Sequence, residues 1–332
     1  MRQNQELTSM SVDASPELLT TQTELDAIIE RVNNWGRWGA DDQLGTLNFI
    51  TPEVRKAAAA CVRSGKVFSL AVPFGRSGPA PLDGPRLNAQ LTMLQSGADL
   101  HGGDGMGGVP GYGFADDMVT MAISSGTQWD GLSHFFHDYK MYNGHDCHLV
   151  GSQGTPVNSA AVLADKLVTR GVLVDLPRAA GVDWLEPTHR ISAEEIENAL
   201  DRQQVEVREG DVLLIRTGNM LRARQNGGWV EYAKHPEPGP TVEVLPWLHA
   251  KKVAGIATDN WAVEAVPSRG PLLFPVHAVA IVHMGLLMGE IFDLEALAAD
   301  CAEDGVYEFM LNGGSLPFTG SVSAPCNPVA VK

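Results

Sequence analysis

Ile123-Ser-Ser-Gly-Thr-Gln-Trp-Asp-Gly-Leu-Ser-His-Phe-Phe-His137 holds the densest collection of ligand-type and proton-carrying side chains in the chain. Gln128, Asp130, His134 and His137 fall within ten residues, and Gly126 and Gly131 let a backbone approach closely. If the chain from Met118 to Asp130 is extended, alternation puts Ser124, Gly126, Gln128 and Asp130 on one face. If it turns into a helix near Gly131, His134 and His137 share a face at i, i+3. A carboxylate and imidazoles gathered in this way suit a divalent metal. The same residues also fit a plainer reading, in which Asp130 caps a short helix and His134 is an ordinary hydrogen-bonded histidine.

Working outward, helix-like and strand-like segments alternate. Glu24 to Asn33 reads as a helix. A second starts at Pro52, with Thr51 as N-cap, and runs to about Arg63. Val67 to Val72 reads as a strand. Residues 75–115 form a long Gly- and Pro-rich excursion broken by the strand-like Asn88 to Leu94, the kind of segment that walls a pocket. Asp117 to Ile123 is a strand candidate, and Tyr142-Asn-Gly144 is a turn. Leu167 to Leu176 and Gly210 to Gly218 are apolar runs that read as buried strands. Between them, Ser192 to Gln203 is a helix with a Ser192/Glu195 capping box. Thr241 to Lys251 suits a helix and Val253 to Ala257 a strand. Pro275 to Leu287 reads as an apolar helix carrying His277 and His283, and Leu294 to Asp304 as another. Tyr307 to Leu311 and Gly320 to Ser323 are late strands. No repeat or linker divides the chain, so the pattern is one α/β domain over 23–332 behind a polar N-terminal arm, 1–22.

Composition narrows the function classes. The 332 residues are 44% hydrophobic, enough for a large core. The formal net charge of −16 speaks against nucleic-acid binding, which needs a basic surface. No apolar run reaches the ~18 residues of a membrane span. Residues 1–19 lack the apolar centre of a secretory signal. Cys61, Cys147, Cys301 and Cys326 show no C-x-x-C spacing, which reads as reduced thiols in a cytoplasmic protein.

The opening stretch resembles the signature of the cyclase family of metal-dependent hydrolases, which includes bacterial kynurenine formamidases and isatin hydrolase. That signature is H-x-G-T-H-x-D-x-P-x-H. Here it stands as Ser124-x-Gly126-Thr127-Gln128-x-Asp130-x-Leu132-x-His134, in the manner of a Gly-Thr-Gln-x-Asp branch. The resemblance runs from about Trp35 to the C-terminus. It is carried also by Trp38 to Asn48, Asp138 to Gly144, Arg170 to Asp175, Gly210 to Gly218, Asp259-Asn260, His277 with Gly289-Glu290, and Ser323-Ala-Pro-Cys-Asn-Pro328.

The resemblance implies a swivelling β/β/α fold and a homo-oligomer, dimer or tetramer, with shared pocket walls. It implies a hydrolase that opens a lactone or amide bond of a small cyclic or aromatic substrate with metal-activated water. His134 takes the place of the general acid/base. Asp130, His277 and Glu290, helped by Gln128, take the metal positions, for one ion of manganese or zinc. Ser124 and Gln128 replace two imidazoles, which weakens the site and makes a kynurenine formamidase less attractive. A lyase or cyclase on the same residues, or a metal-free small-molecule binder, are the alternatives. His137, His145 and His148 are further imidazoles, Asp259 and Glu264 candidate neighbours of the site. Specificity is expected from the 75–115 excursion and the surroundings of Trp129.

Overall fold

The apolar runs Val168–Asp175 and Val212–Arg216 are buried along both faces and lie side by side at the middle of a sheet. The structure is a computed structural model that describes residues 20–81, 84–102, 105–232 and 236–332. The arm expected at 1–22 lies outside the described residues up to position 19.

The strands in chain order are β1 (Val67–Ser69), β2 (Gln90–Gln95), β3 (Asp116–Thr120), β4 (Gln128–Asp130), β5 (Val168–Asp175), β6 (Arg190–Ile191) and β7 (Val212–Arg216). They continue with β8 (Gly239–Pro240), β9 (Gly255–Thr258), β10 (Leu287–Glu290), β11 (Glu308–Asn312), β12 (Ser323–Pro325) and β13 (Val329–Val331). Nine of them form one sheet in the order β1-β13-β11-β5-β7-β9-β10-β4-β12. Its centre, β5-β7-β9-β10, is parallel, and antiparallel strands extend both sides. The fold is mixed α/β, as expected.

Alternation along the strands divides the interior into two cores. Val172, Val174, Leu213, Ile215, Ile256 and Met288 face one core, together with the helices Gln22–Val32, Ala193–Gln203 and Leu245–Ala250. Leu173, Val212, Leu214, Ala257 and Leu287 face the other, with the Glu295–Asp304 helix. Each fully buried aliphatic side chain contributes roughly 1.5–3 kcal/mol, against which the ordering of the chain must be set. The caps are as read: Ser192 accepts from Glu195 N at 3.2 Å while the Glu195 carboxylate returns to Ser192 N at 2.8 Å. Among the described residues no helix is long and apolar enough to cross a membrane.

Three local readings need correction. Met118 to Asp130 is not one extended segment: β3 ends at Thr120, turns follow, and β4 begins at Gln128. No helix forms after Gly131. Gly131 N donates to Val322 O (2.8 Å) and His134 N to Gly131 O (2.9 Å), which makes a turn instead. The helix from Pro275 widens to a π-type segment, Ala278–Met284, and stops there. Gly285 follows with φ +66°, and β10 starts at Leu287.

Candidate active site

The short strand β4 pairs with β10 on one side and β12 on the other, so that Gln128 lies opposite Glu290 and Asp130 opposite Met288 and Ser323. These residues share one face of the sheet. Trp129 and Gly289, between them, face the opposite core. Trp129 is fully buried, its indole donates to Gly313 O (2.8 Å), and it meets Phe292 edge-on. Gly289 has to be small, because a Cβ there would fall 2.7 Å from the Trp129 ring. Trp129 therefore packs the core, while its neighbours in sequence, Gln128 and Asp130, face the site. Thr127 fixes the strand from its side, donating to Ile291 O (2.6 Å) and accepting from Val72 N (2.9 Å).

His277 reaches the same face from the helix that begins at Pro275. Its Nε2 lies 3.3 Å from Glu290 Oε1 and 3.8 Å from Asp130 Oδ2. Asp130, His277 and Glu290 are all buried, and each offers a ligand atom within 4.8 Å of the others. Gln128 joins them: its Nε2 donates to Glu290 Oε2 (2.7 Å) and reaches Asp130 Oδ1 at 3.4 Å. All four residues named as metal candidates are thus brought together. Two buried oxygens there, Gln128 Oε1 and Asp130 Oδ2, have no hydrogen-bond partner among the described residues. A buried acceptor without a donor is costly; a cation beside the carboxylates satisfies Asp130 Oδ2 directly, and Gln128 Oε1 once the amide turns. The donor set therefore fits a divalent metal.

Glu264, on the loop after β9, takes the far side of His277. Its Oε1 is 2.6 Å from Nδ1 and accepts the His277 backbone N–H at 2.9 Å; Oε2 accepts from Val276 N at 3.0 Å. Burial lowers the basicity of His277, but hydrogen bonds to Glu264 and Glu290 and their charges outweigh it and lift the pKa to about 10. Asp130 is raised from the usual carboxylate range, first by burial and then by Glu290, against the pull of His134, His277 and Arg86.

His134 is held over Asp130. Its Nε2 is 3.7 Å from Asp130 Oδ1, and its Nδ1 is 3.0 Å from Ser323 Oγ on β12. It keeps partial access to solvent, as a proton carrier needs. His137 goes elsewhere: its Nδ1 meets His283 Nε2 at 2.9 Å, and His283 stacks on Trp35. The i, i+3 pairing of His134 and His137 fails because the backbone turns rather than coils. His148 pairs with Asp146 (2.7 Å) on an exposed turn, away from the buried cluster. His145 lies on the same loop, with Nε2 buried and without a hydrogen-bond partner among the described residues. Asp259 accepts from Thr217 N, Thr217 Oγ1 and Gly218 N, which assigns it to the fold.

Two contributors were not singled out by sequence reasoning. Ser323 stands in a motif that was noted without a role. Arg86 comes from the long excursion; its Nη1 donates to Ser124 O (3.0 Å) and lies 3.9 Å from Glu290 Oε2. Ser124 thus enters through its carbonyl.

The model of the Cyclase family, described as "Putative cyclase", matches residues 38–265. The match includes Gln128, Asp130, His134 and Glu264, while His277 and Glu290 follow it. No curated protein matches the chain significantly. Among solved structures, the crystal structure of a novel cyclase is 38% identical, with a TM-score of 0.85, covering 92% of this chain and 99% of its own. Isatin hydrolase A from Ralstonia solanacearum is 18% identical with a TM-score of 0.58, covering 84% and 97%. An isatin hydrolase bound to the product analogue thioisatinate is 16% identical with a TM-score of 0.57, covering 83% and 94%. At those identities the two hydrolases share the fold. With the family model matched over well more than half of its length, the chain belongs to the cyclase family.

Proposed function

We propose that the protein is a metal-dependent hydrolase that opens a lactone or amide bond of a small cyclic or aromatic substrate. The observation that carries this reading is the convergence of Asp130, His277 and Glu290 in a buried site with two unpartnered oxygens. These three would hold one divalent cation, joined by Gln128 once its amide turns to present Oε1. Mixed oxygen and nitrogen donors suit manganese or zinc. Such an ion supplies Lewis acidity toward a carbonyl and makes water a nucleophile near neutral pH.

The chain's own residues do the rest. Glu264 fixes the His277 ring so that Nε2 faces the carboxylates. Ser323 tethers His134, which takes a proton at Nε2 and delivers it to the leaving oxygen or nitrogen. The fold shared with isatin hydrolases supports hydrolysis of a cyclic amide or ester. Metal analysis of protein purified without chelators tests the reading. A stoichiometric divalent ion, and ion-dependent turnover of a lactone, N-formyl arylamine or cyclic imide that is lost in His134→Ala, is the expected result.

Gln128 favours one second reading, a metal-free small-molecule binder. Its Nε2 already hydrogen-bonds Glu290 and approaches Asp130, easing their repulsion without a metal. Absence of metal from the purified protein, with no ion-stimulated turnover, selects it.

The proposal includes a homo-oligomer, supported by the exposed apolar side chains Leu91, Met93, Met118 and Val119 on the β2–β3 ribbon. Sedimentation measures that directly. The free thiols of all four cysteines fit a cytoplasmic setting.

A further inference from the structure

We propose that Arg86 is an anion-recognising residue of this site, and that the substrate carries a carboxylate on or beside a flat ring. The inference rests on the reading of the site as one that takes a small carbonyl compound.

Arg86 is built into place. Its guanidinium carbon lies 5.1 Å from the centre of the Trp261 ring, over its face, a cation–π contact that holds the head group in place. Trp261 is held in turn by packing against the buried cluster of Val72, Met220, Ala223, Tyr232 and Ile291. On the same loop Ala262 N donates to the fully buried Glu237 (3.1 Å). Burial raises Glu237 well above the usual carboxylate range, and its other oxygen has no partner among the described residues. Glu237 thus anchors the loop at Ala262, and the Trp261 ring of that loop packs both on the core and against the arginine.

The obvious competing role is neutralisation of Glu290, and the geometry disfavours it. An arginine that serves a carboxylate closes to about 2.7–2.9 Å, commonly with two N–H groups. Arg86 stops at 3.9 Å from Glu290 Oε2 and gives Nη1 to the Ser124 carbonyl instead, while Gln128 takes that oxygen of Glu290. A guanidinium has five N–H donors. Among the described residues the Ser124 contact is the one hydrogen bond Arg86 makes, and its side chain remains 29% exposed. The unused donors form a planar fork that matches a carboxylate. Two aromatic rings stand beside the cluster: Phe74 lies against Gly126, and Phe135 is 5.4 Å from the His277 ring. A flat acid fills such a place, its carboxylate on Arg86 and its scissile carbonyl toward Asp130, His277 and Glu290.

The test uses benzoate and benzamide, which match in shape and differ in charge. Each is titrated calorimetrically into chelator-stripped wild-type, Arg86→Gln and Arg86→Lys protein, so that no metal can capture the carboxylate. Wild type is expected to bind benzoate at least tenfold tighter than benzamide. Arg86→Gln removes the preference and leaves benzamide affinity unchanged, and Arg86→Lys keeps part of it. Equal affinities in wild type, no binding of benzoate, or an unchanged preference in Arg86→Gln overturns the proposal. Should Arg86→Gln fail to fold, the wild-type ratio and Arg86→Lys decide. Ion-dependent turnover of a neutral lactone together with a failed benzoate preference sinks the anion subsite and leaves the hydrolase reading standing. Benzoate preference in a protein without metal or turnover does the reverse.

Discussion

Glu264 grips His277 twice, through the ring at Nδ1 (2.6 Å) and through the backbone N–H (2.9 Å), so neither the ring nor its helix start can turn away from Asp130 and Glu290. A carboxylate behind a ligating imidazole sets its tautomer and raises its basicity. Glu264→Gln is therefore expected to weaken manganese or zinc affinity by about 10–100-fold. Calorimetric titration of the metal measures this, and an unchanged affinity rules out His277 as a ligand oriented by Glu264.

His134 and Ser323 form the proton-handling arm. Replacing His134 by Ala is expected to lower kcat by about 10²–10⁴-fold while metal content stays at the wild-type level. Ser323→Ala leaves the imidazole present but untethered, so a smaller loss in kcat with little change in KM should follow. Loss of metal from His134→Ala would place that residue among the ligands instead.

At position 128 an amide stands where an imidazole would bind a transition metal better. Gln128→His should tighten the metal on the order of tenfold, since it also removes the N–H contacts that now occupy Glu290 and Asp130. Competition against a fluorescent chelator reads the difference. A variant that binds no better than wild type shows that position 128 does not face the ion.

His283 gives a pH prediction away from the site. Burial, followed by the neighbouring His137, pushes its pKa from 6.5 down to about 4. The unfolded chain takes up this proton near pH 6.5 and the folded chain near 4. Stability from the neutral ring is complete above about pH 6.5 and is lost as the pH falls toward 4, by up to about 3 kcal/mol. Asp259 works in the opposite sense: burial raises it to about 6, so stability is gained as the pH falls from there toward 3.8. The two windows overlap, and the wild-type curve alone hides each. Urea denaturation of wild type and His283→Gln at pH 7.5 and 4.5 separates them. The stability advantage of wild type should shrink at the lower pH, and a pH-independent difference would refute the assignment.

How much of this was legible in the sequence depended on what each residue faces. Val168–Asp175 and Val212–Arg216 read correctly because strands covered on both sides are apolar throughout. The Ser192/Glu195 capping box read correctly because it is local. The segment before Gln128 misled because β3 is exposed on both faces, so its residue pattern carries no record of burial. Val329–Val331 was missed: it is three residues long and becomes a strand only between β1 and β11. Gln128 and Asp130 were named from their local cluster, and His277 and Glu290 from a family resemblance, yet the approach of the four depends on the pairing of β4 with β10, which no local pattern encodes. Asp259 and Glu264 looked alike in sequence. One caps the turn at Thr217 and the other orients His277, a difference made by loop geometry alone.

Along β4 and β10 the residues that anchor the protein and the residues that face the reaction take turns, Trp129 and Gly289 toward one core, Gln128, Asp130 and Glu290 toward the buried site on the other face. Donors at 128 or 290 can therefore be exchanged one at a time without disturbing the packing of Trp129 against Gly289 and Phe292 on the other face. Sliding either strand by a single residue would turn the donors into the opposite core and drive the tryptophan into the site. Metal preference is thus open to adjustment by point substitution, while the alignment that presents the donors is locked by the same fit that keeps the protein folded.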